Sequence, residues 1–243
     1  GNKVFIYAMA PFVVLRCIEQ HKASTGIMNL PVTTIVAGVG LSYANSGPTH
    51  YSTEDLGCLY SLIKTNVYTI SDGMLALKVA NYLCKNDEYA FVRIDRDLCS
   101  NLSKNIKDSD IEKGFRTFYS GKKICIITHG YMTQKIFSII EQNEFLKKRV
   151  TLIDLFRSKP ISKKLKILIK NYTNLLVVDE QTPQSSLCIA ISSYLLDNNI
   201  DSNLHRMTLK EHYIFENGGR DYLLKINGLS KNNILKKIHS IIG

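Results

Sequence analysis

Along the whole chain, short apolar runs rich in Val, Ile and Thr alternate with longer stretches in which apolar positions recur every three or four residues. The short runs predict strands at 4–7, 32–37, 66–70, 89–94, 123–128, 149–154, 174–178 and 203–206. The longer stretches predict helices near 11–22, 53–63, 73–84, 130–142, 162–170, 184–197, 220–227 and 231–242. Several carry start or stop signals: Pro11 in a first turn, Ser52 three residues before Asp55, Asp72 ahead of Gly73, Ser230 as an N-cap, and Gly228 just past a helix end. Alternating strands and helices predict βαβ units, hence an α/β fold of two doubly wound, mostly parallel-sheet domains.

A polar stretch at 95–113, rich in Asp, Ser, Asn and Lys, breaks this rhythm and reads as a linker with a short helix around 109–114. The domains are therefore expected at 1–98 and 115–243, with the linker at 99–114. The first has only four predicted strands, and the chain enters one directly after Gly1-Asn2-Lys3, so its N-terminal part is expected to be missing.

Composition sharpens the class. The 243 residues suffice for two compact domains with real cores. The formal net charge is +10, but residues 1–115 carry eleven Lys+Arg against eleven Asp+Glu, and residues 116–243 carry twenty against ten. Only eight of the basic residues are Arg, and no basic stripe is interleaved with aromatics, so a nucleic-acid partner is not expected. The excess, concentrated at 147–149 and 159–170, reads as a Lys-rich solvated surface or as a docking face for an acidic partner. Six cysteines occur without a CxxC pair or zinc spacing, which points to free thiols in a reducing, cytoplasmic setting and to no metal held by this chain. No apolar run approaches eighteen residues, and the apolar start is too short for a signal peptide, so no membrane association is expected.

The segment with most chemistry is the glycine-bearing loop at 37–55, between a predicted strand and a predicted helix. Ligands of open α/β sheets sit beyond the carboxyl ends of strands, where His50 is placed to bond a substrate oxygen or exchange a proton. The residues alone favour the plainer reading, a Gly47-Pro48 turn with His50 capping the next helix.

Gly47-Pro48-Thr49-His50, followed by Ser52-Thr53-Glu54-Asp55, resembles the G-P-T-H-x-S-T-E-D signature of the pyrimidine-binding domain in transketolase-like, thiamine-diphosphate-dependent enzymes. Residues 10–20, with Phe12, Arg16, Glu19 and Gln20, resemble that family's F-x-x-F/R-x-x-[DE]-Q helix, and 91–96 resemble its strand ending in arginine. In the second half, 121–130 are similar to the opening strand and Gly turn of the transketolase C-terminal domain, and 176–181 to its later V-V-x-E strand. Residues 217–230 are similar to its G…LL…GL[ST] tail.

The resemblance implies the C-terminal subunit of a split transketolase-like enzyme, which moves a two-carbon ketol unit between sugar phosphates. Thiamine diphosphate would be shared with an N-terminal partner subunit that carries the diphosphate-binding domain and Mg²⁺. A second copy of this chain would complete a dimer or heterotetramer. By family position, Phe12 and Tyr7 would contact the cofactor, with Phe12 stacking on the aminopyrimidine. His50 would be the catalytic residue, bonding substrate oxygens, and Arg96 would grip the sugar phosphate. Ser46, Arg16 and Arg93 would complete the substrate-binding set. Phe12 read without the resemblance is a core residue, Arg96 a solvated strand-end residue, and Arg16 and Arg93 ion-pair partners.

Three departures accompany it. Ser46 stands where transketolases usually carry Asp, nothing matches the catalytic glutamate that the family carries upstream of Val4, and Gln181 and Gln184-Ser185-Ser186 replace the family's His and Gly-Gly. The implied alternatives are a catalytically silent or regulatory partner subunit, or the beta subunit of a related enzyme of the deoxyxylulose-phosphate synthase or 2-oxoacid dehydrogenase type. Deoxyxylulose-phosphate synthase is the poorer match, because it lacks the S-T-E-D run.

Overall fold

The strands gather into two five-stranded sheets, which a computed structural model describes for residues 2–97, 99–103 and 105–243. The first sheet holds β1 (Val4–Met9), β2 (Val32–Ala37), β3 (Asn66–Thr69) and β4 (Ala90–Ile94) in the order β1-β2-β4-β3, all parallel. The second holds β5 (Arg116–Phe118), β6 (Ile124–Thr128), β7 (Val150–Asp154), β9 (Asn174–Val178) and β10 (Asn203–Met207) in the order β10-β9-β6-β7-β5, parallel except for β5. Helices cover the faces, and the fold is α/β with two mostly parallel sheets. Strands β6 and β7 are buried along their full length, as strands covered on both faces must be.

Strand β8 (Arg157–Lys159) crosses from the second half of the chain to the first sheet, pairing antiparallel with β3. Neither β5 nor β8 is legible as a strand, because each has three residues and carries basic and hydroxyl side chains instead of an apolar run. The helix expected over 11–22 is broken into α1 (Ala10–Val13), an irregular turn, α2 (Ile18–Gln20) and a π-helical turn at His21–Gly26. Hydrogen bonds that span five residues, from the N–H of Arg16 to the carbonyl of Pro11 and from Ile27 to Lys22, widen the coil. The linker folds partly into α5 (Asp108–Lys113), closed by Gly114 in the left-handed region at φ 78°. The remaining helices are α3 (Asp55–Ser61), α4 (Gly73–Lys85), α6 (Gly130–Glu141), α7 (Glu144–Lys147), α8 (Lys164–Ile169), α9 (Leu187–Asp197), α10 (Arg220–Ile226) and α11 (Lys231–Ile242). Among the described residues, no helix is long and apolar enough to cross a membrane.

The π-helical turn is pinned to the core by His21, whose Nε2 donates to the Val13 carbonyl at 2.8 Å and whose carbonyl accepts from the Tyr89 hydroxyl at 3.1 Å. Burial pushes the imidazole below its ordinary value of 6.5, against the opposing pull of the Val13 carbonyl. With a folded pKa below the unfolded one, the unfolded chain takes up the proton first as pH falls below 6.5, and stability drops there. Urea unfolding from about pH 7.5 to about pH 5.5 should show the wild-type advantage over His21→Gln narrowing; a constant gap would count against this role.

Candidate functional site

The carboxyl ends of β2, β3 and β4 meet the second half of the chain, at Gly40 beside Glu180, Ser71 bonded to Asp154 and Asp95 beside Arg220. After β1 comes α1 with Phe12, after β2 the 38–54 loop with His50, after β3 Ser71 and Asp72, and after β4 the turn with Asp95 and Arg96. The β2 loop is folded back on itself: Gly40 and Ser52 exchange backbone hydrogen bonds as an isolated antiparallel bridge. Gly40 has φ 60°, and a Cβ there would lie 2.6 Å from the Glu180 side chain, so only glycine lets the two sheets approach this closely.

This architecture brings three of the sequence candidates together. The Phe12 and His50 rings meet edge to face, with centroids 5.5 Å apart and planes at 74°. The Arg16 guanidinium lies 4.6 Å from the Phe12 centroid. Phe12 and His50 are half-buried and Arg16 is exposed, so an aromatic surface and an imidazole are reachable from solvent side by side. Thr49 Oγ1 lies 2.9 Å from His50 Nδ1, which fixes the ring and leaves Nε2 available. Ser46 is exposed earlier in the same loop. Arg96 is exposed too, its guanidinium 5.2 Å from the Tyr43 centroid and its N–H bonded to Ser42 Oγ at 2.9 Å. Tyr7 takes no part in these contacts; it stands on edge strand β1, 69% exposed.

Arg93 is corrected from substrate contact to structural residue. It is 1% exposed, its Nε and Nη2 bond both oxygens of Asp55 at 2.7 and 3.1 Å, and its Nη1 bonds Thr69 Oγ1 at 2.8 Å. A guanidinium spent on a buried bidentate pair is not free to grip a ligand.

Comparison with known proteins places the second half of the chain. Residues 116–234 match the family described as transketolase, C-terminal domain. The chain is similar to the C-terminal portion of transketolase-like proteins, and its second half matches their C-terminal domain. It is 27% identical over its full length to a 1-deoxy-D-xylulose-5-phosphate synthase from Fusobacterium nucleatum, covering 40% of that protein. Over 66% of the chain it is 23% identical to one subunit of the apulose-4-phosphate transketolase of Phocaeicola vulgatus, covering 52% of it. The chain thus spans about half or less of these curated relatives. Among solved structures, a split-gene transketolase described as an inactive beta4 tetramer superposes on 98% of this chain and 76% of its own, with a TM-score of 0.83 at 18% identity.

Where the two sheets meet, buried charges pair with one another in a way that the sequence patterns did not mark. Arg220 reaches Glu180 and Asp95, Arg116 reaches Asp72 and Asp154, and His129 Nε2 lies 3.1 Å from Asp179 Oδ1. Burial alone would raise the Asp179 carboxyl, but His129, the Leu187 N–H and Arg93 hold it below the usual carboxylate range. Glu180 is the opposite case: burial outweighs Arg220 and pushes it up. The sequence signals for these residues were their places at strand ends and in the Gly218-Gly219-Arg220 turn, and the helix start marked by Asp72, none of which names their partners. Among the described residues, no group of three or more His, Cys, Asp or Glu is arranged to hold a metal ion.

Proposed function

We propose that this chain is the C-terminal subunit, or portion, of a transketolase-like enzyme that transfers a two-carbon ketol unit between sugar phosphates. The observation that carries this reading is the Phe12–His50 pair, edge to face at the carboxyl ends of a parallel sheet, with Arg96 on the neighbouring strand end. A solvent-reachable aromatic ring beside an imidazole fits the pyrimidine end of thiamine diphosphate and a substrate oxygen next to it. When bound, that cofactor supplies the carbanion chemistry; the protein binds, orients and manages protons. In this proposal Phe12 and Tyr7 hold the pyrimidine side, and His50 Nε2 donates to an oxygen next to the reacting carbon. Ser46 meets a donor hydroxyl, and Arg96 binds the phosphate of the sugar, with Arg16 at the rim. The diphosphate end and Mg²⁺ belong to an N-terminal partner subunit in the cytoplasm, with a second copy of this chain completing the assembly. One relative is named as a single subunit of its transketolase and one structural neighbour is the product of a split gene, and both support a partner.

The test is to combine the chain with a transketolase N-terminal subunit, thiamine diphosphate and Mg²⁺, and to measure two-carbon transfer between sugar phosphates. Transfer that needs both subunits is expected; neither transfer nor cofactor-dependent association would leave a catalytically silent partner.

The full-length similarity to a 1-deoxy-D-xylulose-5-phosphate synthase favours a second reading. A 1-deoxy product requires a unit without the terminal hydroxyl, so a donor panel separates the two chemistries. Ser46 enters here, because a carboxylate accepts a donor hydroxyl more strongly than a neutral serine does. Ser46→Asp is expected to shift preference toward the hydroxyl-bearing ketose donor by about tenfold or more in kcat/KM. An unchanged panel would remove Ser46 from specificity.

A further inference from the structure

We propose that Arg220 is a positioning residue for the candidate site: from the C-terminal domain it sets the placement of the 42–51 loop and of Arg96. This rests on the reading of that loop as the substrate-facing one. The domain that supplies Arg220 is then a wall of the site as well as a platform for assembly.

Arg220 is 8% exposed. Its Nε donates to Glu180 Oε2 at 3.0 Å and its Nη2 to Oε1, while Nη1 lies 2.6 Å from Asp95 Oδ2. The guanidinium lies 3.6 Å from the Tyr131 ring centroid. One planar fork thus joins a carboxylate of each sheet, which a lysine ammonium cannot do with the same geometry. The contact then passes outward. Asp95 Oδ1 accepts from Ser42 Oγ at 2.8 Å, and Ser42 Oγ accepts the N–H of Arg96 at 2.9 Å. Ser42 also opens the loop that carries Ser46 and His50, so the far side of Asp95 holds two candidate binding elements at once.

The turn leading into Arg220 grips the same loop at two further points. The Gly219 N–H donates to Asn45 Oδ1 at 3.2 Å, immediately before Ser46. Tyr51, immediately after His50, donates its hydroxyl to the carbonyls of Ala44 at 3.0 Å and Glu216 at 3.2 Å. Residues 216–220 therefore brace the loop on both sides of His50, and Arg220 fixes where residues 216–220 stand. Fixing the donor beforehand is what lets a hydrogen bond act on a reacting centre without reorganisation.

The experiment uses the full chain, without cofactor or partner: amide hydrogen exchange and the NMR resonances of the His50 ring in wild type, Arg220→Met, Arg220→Lys and Asp95→Asn. The His50 and Ser52 amides, bonded to the carbonyls of Gly47 and Gly40, are expected to exchange about tenfold faster or more in Arg220→Met and Asp95→Asn, with a moved His50 ring signal. The amides of β6 should stay near wild type, and Arg220→Lys should fall between. Lys135→Met breaks the exposed pair with Asp221, the residue after Arg220, and is expected to change neither readout. Wild-type exchange and an unmoved His50 signal in a folded Asp95→Asn or Arg220→Met protein would overturn the proposal; if Arg220→Met does not fold, Asp95→Asn decides. Because neither readout needs activity, absence of two-carbon transfer would count against the functional reading alone.

Discussion

Replacing Arg116 with methionine is expected to destabilise the protein by about 3–5 kcal/mol, the cost of removing one partner from a buried ion cluster. Arg116 Nε bonds Asp154 at 2.9 Å, and its Nη2 bonds Asp72 at 2.7 Å and Ser71 Oγ at 2.9 Å. Both carboxylates have side chains with 0% exposure, so water cannot take over when the guanidinium is gone. The damage spreads because Asp72 also caps α4, accepting the Leu75 N–H at 2.8 Å, and takes the Leu102 N–H at 3.1 Å. Arg116→Lys should recover only part of the loss, since one ammonium cannot span two carboxylates as a fork does.

The loss has a pH signature. Burial holds the Asp154 carboxyl above its ordinary range, although Arg116, Ser71 and Thr133 pull it down. A folded pKa above the unfolded one means that the folded state takes the proton more readily, so this contribution is present at low pH and fades as pH rises through the folded value. Without Arg116 the carboxyl rises further, and the deficit of Arg116→Met should be larger at about pH 8 than at about pH 5 in urea unfolding. A deficit independent of pH would point to lost packing against Phe118, over which the guanidinium sits at 5.0 Å.

The second large effect is on activity. In the reconstituted complex, His50→Ala is expected to lower kcat/KM by about 10²–10³-fold, the usual cost of losing one preplaced donor at a developing charge. Its stability should change by no more than about 0.5 kcal/mol, because the side chain is half-buried and its one side-chain hydrogen bond is to its neighbour Thr49. Phe12→Ala should weaken retention of thiamine diphosphate, read as a raised cofactor requirement at fixed sugar phosphate. Loss of both activity and fold in His50→Ala would show a structural histidine instead.

Much of the candidate site's layout was legible because it is local. The G-P-T-H run, the α1 segment and the strand ending at Ile94 each announce themselves within a few residues, and a parallel α/β sheet brings the carboxyl ends of its strands to one edge. That is why Phe12, Arg16 and His50 could be named before they were seen together. Arg93 was misjudged because sequence spacing puts it on a strand but does not say that Asp55, 38 residues away, buries it. Alternation near a strand end cannot tell an arginine that faces a ligand from one that neutralises a core carboxylate.

Local pattern fixed the α/β class, the eight longest strands and most helix ends, because periodicity, N-caps and glycines act over distances of a few residues. Tertiary structure alone decided the rest. It drew β8 across to the first sheet, widened the helix expected over 11–22, and joined the two halves through Arg116 and Arg220. The common physical reason is that a buried charge or a short edge strand gains its free energy from partners far away in the chain, and no local window contains them.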